Sequence, residues 1–266
     1  MSENKYPQLK TILLDMDGVL WRGYEPVIDI QVLFEKIHQL GCQAFCVTNN
    51  STQTIEGYLE KLSGFGVDIS PFQIITSAEA TASYLRDHIQ GESPVYVVGE
   101  DGLKETISRY SFNIIEESGT DQPAAVVVGL DLKLTYEKIY LASKYIREGV
   151  LFVGTNPDKT FPYAGGIAPG AGSIISPIES ASGTAPVMIG KPEKHLYQLA
   201  LDRSGSLPDE ALMIGDRLET DILGAQRMGI RTGLVLTGIT SRDGVQKWQQ
   251  KPDMIADTAQ DILENL

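Results

Sequence analysis

Two aspartates stand at the end of an apolar stretch near the start of the chain. Asp15 and Asp17 follow "TILL" at residues 11–14, with one methionine between them and Gly18 next. Like charges close together at the end of a buried strand cost free energy, so a bound cation or a reaction explains this placement better than surface decoration does. Alternate side chains of an extended chain project to one side, and glycine lets the backbone turn tightly away. The spacing therefore predicts two carboxylates that act together.

Polar residues also follow three other apolar stretches. They are Thr48, Asn49 and Asn50 after "FCV", Lys191 after "VMIG" and Asp216 after "ALMIG". In an open parallel sheet, ligands bind beyond the carboxyl ends of the strands. If these stretches are strands of one such sheet, the residues that follow them form one site together with the two aspartates.

The residue types in this predicted site favour phosphoryl chemistry. Several carboxylate oxygens near one point favour Mg²⁺, a hard cation that takes oxygen ligands. Magnesium and Lys191 together would neutralise a phosphoryl group, and Thr48 with nearby backbone N–H groups could hydrogen-bond its oxygens. One carboxylate could then attack phosphorus, since aspartate is an established nucleophile in covalent catalysis, while the second donates a proton to the leaving oxygen.

The elements that must position these residues alternate between strand-like and helix-like segments. The predicted helices carry apolar residues at helical spacing, for example Ile30, Leu33, Phe34 and Ile37 before Gly41. The predicted strands are short apolar runs: "TILL", "QAFCVTNN", "FQIITS", "VYVVG", "AAVVVGL", "LFVGTN", "VMIG", "ALMIG", "TGLVLTG" and "DMIA". Such strands between helices indicate a parallel sheet that is covered on both faces. The predicted fold class is α/β, with a Rossmann-like, doubly wound parallel-sheet core.

The spacing of the site residues predicts an insertion into this core. Asn50 and Lys191 are about 140 positions apart, which is far beyond a normal crossover between strands. The chain between them contains three predicted strands and at least two predicted helices of its own. We therefore predict a core from residues 1–80 and 186–266, with an inserted α/β domain at residues 81–185. The stretch "GGIAPGAG" follows no dinucleotide-binding fingerprint and is predicted to be a structural loop.

Composition and charge narrow the classes of partner. Hydrophobic residues make up 42% of the 266 positions and charged residues 21%, as in ordinary globular proteins, but the formal net charge is −13. Nucleic acids and anionic membranes both require a basic face, so neither is expected as a partner. No run approaches the roughly 18 apolar residues of a membrane span, and the N-terminal "MSENKYPQ" has no apolar signal region. Cys42 and Cys46 lack further ligands at zinc spacing, so we expect reduced, buried thiols in a cytoplasmic protein.

Four short motifs carry a resemblance to a known family. "DMDGVL", "VTNNS", "GKP" and "GDRLETD", in this order, resemble the four motifs of the haloacid dehalogenase superfamily, and more narrowly its NagD-like, p-nitrophenyl-phosphatase-like branch. The resemblance covers nearly the whole chain, including "YVVGE" and the "TNPD…PGAGS" stretch from Thr155 to Ser173. Each motif alone is weak, but the ordered set is specific.

The resemblance implies roles for the acidic residues. Asp15 would be the nucleophile and a magnesium ligand, and Asp17 the general acid and base, which would bind the metal through its backbone carbonyl. Asp216 would complete the metal site. Asp221 matches the second acid of the last motif, and we expect it to orient a metal-bound water or Lys191. Dehalogenases of the superfamily lack the second aspartate of the first motif, so Asp17 favours phosphate chemistry.

The resemblance also implies which residues bind the substrate, a small-molecule phosphate ester. Thr48 and Asn49, with the adjacent Asn50, would bind the phosphoryl group, and Lys191 would steady the nucleophile and the phosphate. In this family the inserted domain is a cap that closes over the active site, with a position near Phe161 that faces the substrate. Association of two copies through the cap is one option for the oligomeric state, which the sequence leaves open.

Simpler explanations and other functions stay open at this point. Asp221 could merely favour the dipole of its helix as an N-terminal acid, and Phe161 could simply pack inside the inserted domain. The leading function is Mg²⁺-dependent hydrolysis of small phosphomonoesters, such as sugar, nucleotide or aryl phosphates, through a phospho-aspartate on Asp15. The same motifs fit phosphoryl transfer to another acceptor, as in a phosphomutase. A phosphate-binding sensor module is disfavoured by the paired aspartates and the insertion.

Overall fold

A computed structural model describes residues 8–115, 122–163 and 166–266, which form two compact units. The core unit comprises the described residues up to Thr48 together with Ile55–Ile75 and Lys191–Leu266, and the inserted unit comprises Asn49–Thr54 and Thr76–Gly190. The predicted insertion at 81–185 thus starts and ends five residues inside the longer segment of the inserted unit. That this unit acts as a cap stays a prediction.

A six-stranded sheet organises the core unit, in the order β15-β14-β13-β1-β4-β5. Its strands are β1 (Thr11–Leu14), β4 (Gln43–Thr48), β5 (Ile74–Thr76), β13 (Ala211–Gly215), β14 (Arg231–Val235) and β15 (Met254–Ala256). Strand β1 pairs in parallel with both β13 and β4, and β14 pairs in parallel with β13 and β15. Two short strands, β2 (Trp21–Arg22) and β3 (Glu25–Pro26), form a separate antiparallel hairpin. The parallel-sheet α/β fold predicted from the alternating segments is confirmed.

Helices cover this sheet with their apolar sides. They are α1 (Ile30–Gln39), α2 (Ile55–Gly64), α7 (Lys194–Ser204), α8 (Leu223–Arg227), α9 (Arg242–Lys247) and α10 (Ala259–Glu264). Helix α1 begins where the Asp29 side chain accepts a hydrogen bond from the Val32 N–H, and it buries Ile30, Leu33 and Ile37 as the helical spacing predicts. A π-helical turn at Leu218–Ile222 precedes α8, so the predicted single helix over "TDILGAQRMG" is in fact two segments.

The inserted unit has a sheet of its own, in the order β12-β9-β8-β6-β7. Its strands are β6 (Pro94–Val98), β7 (Asn113–Ile115), β8 (Ala125–Val128), β9 (Leu151–Gly154) and β12 (Val187–Met188), with a hairpin of β10 (Thr160–Tyr163) and β11 (Gly166–Pro169). Its helices are α3 (Ser77–His88), α4 (Asp101–Arg109), α5 (Tyr136–Arg147) and α6 (Ala171–Ser182). Strands β6, β8 and β9 are the three predicted from their apolar runs, and an apolar cluster of side chains lies beneath them.

The prediction of a structural loop for "GGIAPGAG" is wrong within its described residues. Gly166–Pro169 form β11, which pairs antiparallel with β10, and α6 begins at Ala171. Glycine and proline are depleted in strands, so composition hides a short hairpin that is held by its partner strand. Gly172 is required for close packing, because a side chain there would meet the backbone carbonyl of Pro157.

The remaining structural findings concern the thiols and the length of the helices. Cys42 and Cys46 are both buried and free of a disulfide. Burial raises the pKa of Cys46 to about 12, so this thiol is inert as a nucleophile. None of the helices in the described ranges combines the length and the apolar character that a membrane span requires.

Candidate active site

Three neighbouring strands of the core sheet end at the same edge and carry the polar residues there. Leu14 of β1 lies level with Ile214 of β13 on one side and with Cys46 of β4 on the other. The Asp15 N–H continues the ladder with a 2.9 Å hydrogen bond to the Ile214 carbonyl. Because the strands are parallel, Asp15, Thr48 and Asp216 all emerge at their carboxyl ends, where parallel sheets bind ligands.

Lys191 is buried against this edge by two carboxylates and a backbone carbonyl. Its Nζ lies 2.6 Å from Asp15 Oδ1 and 2.7 Å from Asp221 Oδ1, and it donates a 3.0 Å hydrogen bond to the Val47 carbonyl at the end of β4. Only 2% of the Lys191 side chain is exposed. A lysine that is buried to this degree is almost always paired, so the ammonium is a fixed part of the site rather than a surface charge.

Three carboxylates converge beside this ammonium. One carboxylate oxygen each from Asp15, Asp216 and Asp221 lies within 4.8 Å of the other two, and all three residues are buried. Asp216 Oδ2 accepts a 2.7 Å hydrogen bond from the Ile239 N–H, while its Oδ1 is buried with no hydrogen-bond partner among the described residues. Three carboxylates against one ammonium leave two negative charges uncompensated. A hard divalent cation would balance them and satisfy Asp216 Oδ1.

Burial and mutual repulsion set the protonation of these groups. Burial raises the pKa of Asp216 to about 7, and the Asp221 carboxylate adds to this rise, while the Ile239 N–H opposes it. Burial also raises the pKa of Asp15, against which the Lys191 ammonium acts. Burial disfavours the charge on Lys191, but the Asp15 and Asp221 carboxylates outweigh it and raise the pKa of the ammonium. Lys191 is therefore protonated at neutral pH, and it favours the anionic form of Asp15.

The local backbone lets the acids approach so closely. Gly18 has a φ of +93°, and a side chain there would lie 2.7 Å from Asp216 Oδ2, so glycine serves both the turn and the contact. Asp221 lies in the π-helical turn after β13, where its Oδ2 accepts a 3.1 Å hydrogen bond from the Arg217 N–H. This turn brings Asp221 back to Lys191, and such π segments are frequent at functional sites.

Asp17 makes different contacts from the buried acids. Its side chain is exposed, and its Oδ1 accepts a 3.1 Å hydrogen bond from the indole Nε1–H of Trp21. Desolvation by the surrounding protein raises the pKa of Asp17, while Lys61 and the Trp21 hydrogen bond act in the opposite direction. A carboxyl group with these properties is suited to carry a proton that it can give up.

The other three sequence-predicted residues belong to the inserted unit. Asn49 donates a 3.3 Å hydrogen bond to Asp158 Oδ2. The Asn50 side-chain oxygen accepts hydrogen bonds, each 2.8 Å long, from the N–H and the hydroxyl of Thr52, so it stabilises a local turn. Phe161 lies in β10, half-buried, with its ring edge-on to Tyr163 at a centroid distance of 5.6 Å. Their predicted roles in binding the substrate stay predictions.

Two residues near Asp17 were missed from the sequence. Trp21 reads as an ordinary core residue at the end of "DGVLW", although its distance of four positions from Asp17 is a usable signal. Lys61 lies on α2, and its Nζ is 3.8 Å from the centroid of the Trp21 ring. No motif marks this lysine, because only the fold brings α2 next to the first motif.

Comparison with known proteins gives consistent matches over both halves of the core. Residues 12–113 match a family model described as haloacid dehalogenase-like hydrolase, and residues 188–262 match a second model of HAD-like hydrolases. The chain is 35% identical over 245 residues to the acid sugar phosphatase of Staphylococcus aureus, a match that covers 92% of this chain and 93% of the relative.

Two solved structures share the fold of the whole chain. The p-nitrophenyl phosphatase from Archaeoglobus fulgidus aligns with a TM-score of 0.90 at 30% identity, over 97% of this chain and 99% of that one. The glycerol phosphate phosphatase from Mycobacterium tuberculosis, solved in complex with magnesium, aligns with a TM-score of 0.87 at 28% identity, over 98% of this chain and 78% of that one.

Proposed function

The chain belongs to the haloacid dehalogenase-like hydrolases, in their NagD-like branch, and we propose that it hydrolyses small phosphomonoesters with Mg²⁺ through a phospho-aspartate on Asp15. Membership of this group of phosphatases makes it a phosphoric monoester hydrolase. The observation that carries the proposed mechanism is the buried pair of Asp15 and Lys191 beside Asp216 and Asp221. It supplies a nucleophile, a fixed positive charge and ligands for a metal ion at one point.

The donor set fits a hard divalent cation, and we propose magnesium. Asp15 and Asp216 would hold the ion with carboxylate oxygens, and the backbone carbonyl of Asp17 would add a third ligand. Oxygen ligands from protein and water are what Mg²⁺ takes, and a relative of the same fold is known in complex with magnesium. When bound, the ion supplies positive charge that neutralises the phosphoryl oxygens. Asp221 pairs with Lys191, which supports the predicted role of orienting the lysine.

In the first step, an Asp15 oxygen attacks phosphorus as the bond from phosphorus to the ester oxygen breaks. The Asp17 carboxyl gives its proton to that departing oxygen, which leaves as an alcohol. Asp15 then carries the phosphoryl group as an acyl phosphate, and Asp17 is a carboxylate. Lys191 and Thr48 stabilise the negative charge on the phosphoryl oxygens during the transfer.

In the second step, a water molecule attacks the phosphorus of the acyl phosphate. Asp17 takes a proton from this water, the bond between phosphorus and the Asp15 oxygen breaks, and inorganic phosphate forms. Both aspartates thereby return to their starting states. One residue serves as acid and then as base, because giving up its proton in the first step leaves the carboxylate that the second step requires.

We propose sugar, nucleotide and aryl phosphates as candidate substrates, in line with the acid sugar and p-nitrophenyl phosphatases to which the chain is similar. A panel of these esters, with Mg²⁺ present and no added acceptor, should release inorganic phosphate. EDTA should abolish the release, and Mg²⁺ should restore it better than Ca²⁺, whose looser coordination misplaces the attacking oxygen. Turnover that requires a second alcohol as acceptor would instead favour phosphoryl transfer. Full activity in excess EDTA would refute the metal dependence.

The role of Asp17 as an acid predicts a dependence on the leaving group. Asp17→Asn should lower kcat/KM for an alkyl phosphate by about 10²-fold or more, the scale of general acid catalysis. The loss for p-nitrophenyl phosphate should be much smaller, because p-nitrophenolate leaves without a proton. The parameter kcat/KM isolates the first step, so the later role of Asp17 as a base does not enter. Equal losses for both esters would mean that Asp17 only maintains the geometry of the metal site and does not act as the acid.

The pKa of Asp216 predicts competition between protons and the metal. Its folded-state pKa of about 7 exceeds the usual value near 4, so the metal-free protein binds the extra proton on folding and loses this stabilisation as pH rises from about 4 to about 7. A bound cation requires the carboxylate form. Saturating Mg²⁺ should therefore raise the melting temperature more at about pH 8 than at about pH 5.5, with sodium chloride of equal ionic strength as the control. An equal rise at both values would contradict this competition.

For the part of the substrate beyond the phosphoryl group, we propose that Phe161 contributes to specificity. Phe161→Ala should change the ranking of esters by roughly 1–3 kcal/mol in kcat/KM, the scale of one apolar contact. Acetyl phosphate, which offers little beyond the phosphoryl group, should change least. Phe72→Ala, at an exposed phenylalanine of the core unit, is the matched control. If Phe161→Ala instead changes kcat/KM by one common factor for all substrates, Phe161 contributes only to the packing of the inserted unit.

A further inference from the structure

We propose that Trp21 is a positioning residue for Asp17, and that Lys61 holds Trp21 in the orientation this requires. The inference rests on the proposed function, because it adds a partner to the acid of the first step. Its basis is the contact between the indole Nε1–H and Asp17 Oδ1 at 3.1 Å, together with the contacts that immobilise the indole.

The backbone between the two residues is closely constrained. The N–H groups of Leu20 and Trp21 both donate to the Met16 carbonyl, at 2.9 and 3.3 Å, and the Gly18 N–H donates to the Trp21 carbonyl at 2.7 Å. These bonds form a tight loop that brings residue 21 back beside residue 17. The proximity of the indole to the carboxyl group is thus built into the first motif.

The indole ring itself contacts an aromatic ring and a cation. Trp21 is fully buried, and its ring stacks on Phe65 with centroids 6.0 Å apart at an angle of 21°. Lys61 lies over the ring at 3.8 Å and donates a 2.7 Å hydrogen bond to the Gly23 carbonyl in the turn between β2 and β3. A cation over an indole face is the strongest pairing of its kind. Lys61 therefore joins α2, the ring and the hairpin in one arrangement.

The chemistry of the indole decides which carboxyl oxygen carries the proton. An indole N–H can only donate, so Asp17 Oδ1 must be an acceptor in this contact. A protonated Oδ1 would be a weaker acceptor than the carbonyl oxygen of the carboxyl group, so the hydrogen bond favours the proton on Oδ2. The protonated acid consequently carries its proton on Oδ2, and Oδ2–H is the group that donates to the departing ester oxygen.

An exposed carboxyl group benefits from such a partner. Asp17 is exposed, unlike the buried Asp15, and its carboxyl group accepts the hydrogen bond from Trp21. Proton transfer in the first step requires the donor to point at one oxygen, and misplacement of a reacting group by about 1 Å costs up to about 10²-fold in rate. The indole hydrogen bond provides this restriction without adding a charge to the site.

The test is the substitution Trp21→Phe, which removes the N–H and retains an aromatic ring. We expect kcat/KM for glycerol phosphate to fall about tenfold, part of the range for a general acid, with less than about a twofold change for p-nitrophenyl phosphate. Trp248→Phe is the matched control, because Trp248 is the other tryptophan of the chain and its Nε1 has no hydrogen-bond partner among the described residues. It should leave both values unchanged. A loss that is equal for both esters in Trp21→Phe would overturn the inference.

The double variant separates this inference from the proposed function. In an Asp17→Asn background, Trp21→Phe should add no further loss for glycerol phosphate, because the acid it positions is already absent. If Asp17→Asn itself shows no dependence on the leaving group, the proposed acid role fails. If it does and Trp21→Phe does not, only the role of Trp21 fails. Should Trp21→Phe not fold, Lys61→Met takes its place, and a loss restricted to the alkyl ester is again the expected result, whereas an equal loss refutes the inference.

Discussion

Asp15→Asn should reduce phosphate release to the uncatalysed background, a loss of at least about 10³-fold on every ester of the panel. The asparagine amide is a poor nucleophile and a weaker metal ligand, so one substitution removes two functions. Phosphate release with Mg²⁺ in excess is the measurement, since it excludes weak metal binding as the sole cause. Asp209→Asn, the same change at an exposed position, should leave activity intact.

The fold should survive this change. Asp15 lies close to two other buried carboxylates, so loss of its charge relieves repulsion, and Lys191 keeps its second partner in Asp221 at 2.7 Å. The melting temperature of Asp15→Asn should therefore stay within a few degrees of the native value. For a domain of this size, such a shift corresponds to a change of about 1 kcal/mol in unfolding free energy. Retained turnover above about a few percent in the metal-replete variant would remove Asp15 from the role of nucleophile.

A second line of support for this role comes from a mimic of the phosphoryl group. Beryllium fluoride binds a carboxylate much as a phosphoryl group does, so it should inhibit the native enzyme when Mg²⁺ is present. Beryllium fluoride should not bind the Asp15→Asn variant, because the asparagine side chain lacks the negatively charged oxygen to which it binds. Protection of the native protein against heat, absent in the variant, would report this binding without any substrate turnover.

The sequence predicts the positions of Asp15 and Asp216, because each residue directly follows a short apolar run that forms a strand. "TILL" and "ALMIG" are short apolar runs with a polar residue at the end, and parallel pairing of β1 with β13 brings Asp15 and Asp216 to one edge. For Lys191 the prediction of a preceding strand in the same sheet is wrong, because β12 (Val187–Met188), within "VMIG", pairs with β9 in the sheet of the inserted unit. Lys191 nevertheless contacts Asp15, since the chain returns to the core unit at this residue. The fold class follows from the alternation of strands and helices, and the family from the resemblance of the four motifs; both are confirmed.

Other contacts depend on how the chain folds and cannot be predicted from the local sequence. Asp221 approaches Lys191 because the chain makes a π-helical turn at Leu218–Ile222, whereas the sequence predicts an ordinary helix there. Lys61 is 40 positions from Trp21 in the chain, so only the packing of α2 reveals their contact. The hairpin of β10 and β11 contains glycine and proline, which are depleted in strands. Strand propensity therefore does not predict this hairpin, which is held by the pairing of its two strands.

Lys191→Met should abolish most of the activity and also destabilise the protein, in contrast to Asp15→Asn. Methionine approximates the length of the lysine stem but removes the ammonium that contacts Asp15 and Asp221 at 2.6 and 2.7 Å. Loss of a preorganised positive group typically costs about 10²–10³-fold in kcat. Removal of one partner from a buried ion pair costs about 3–5 kcal/mol of unfolding free energy, because the remaining carboxylates are left uncompensated.

The pH dependence of this variant follows from the same charges. Without the ammonium, which lowers it, the pKa of the buried Asp15 carboxyl rises further above its unfolded value, so the folded state binds more protons than the unfolded state does. The free energy of unfolding then falls as the pH rises from the unfolded-state pKa towards the higher folded-state pKa. Denaturant unfolding of Lys191→Met should therefore show a larger deficit relative to the native protein at about pH 8 than at about pH 5. Lys194→Met, three positions away and exposed, should show no deficit at either value.

A compensating substitution separates the structural from the chemical role of Lys191. Lys191→Met combined with Asp221→Asn removes one of the two stranded charges, so it should recover a large part of the lost unfolding free energy. It should recover none of the activity, because the phosphoryl group and Asp15 still lack their positive partner. Unfolding free energy and kcat, measured on the native protein, on Lys191→Met, on Asp221→Asn and on the double variant, test both expectations. If the double variant regains activity together with stability, Lys191 acts only by holding the site together, and its proposed contact with the phosphoryl group is wrong.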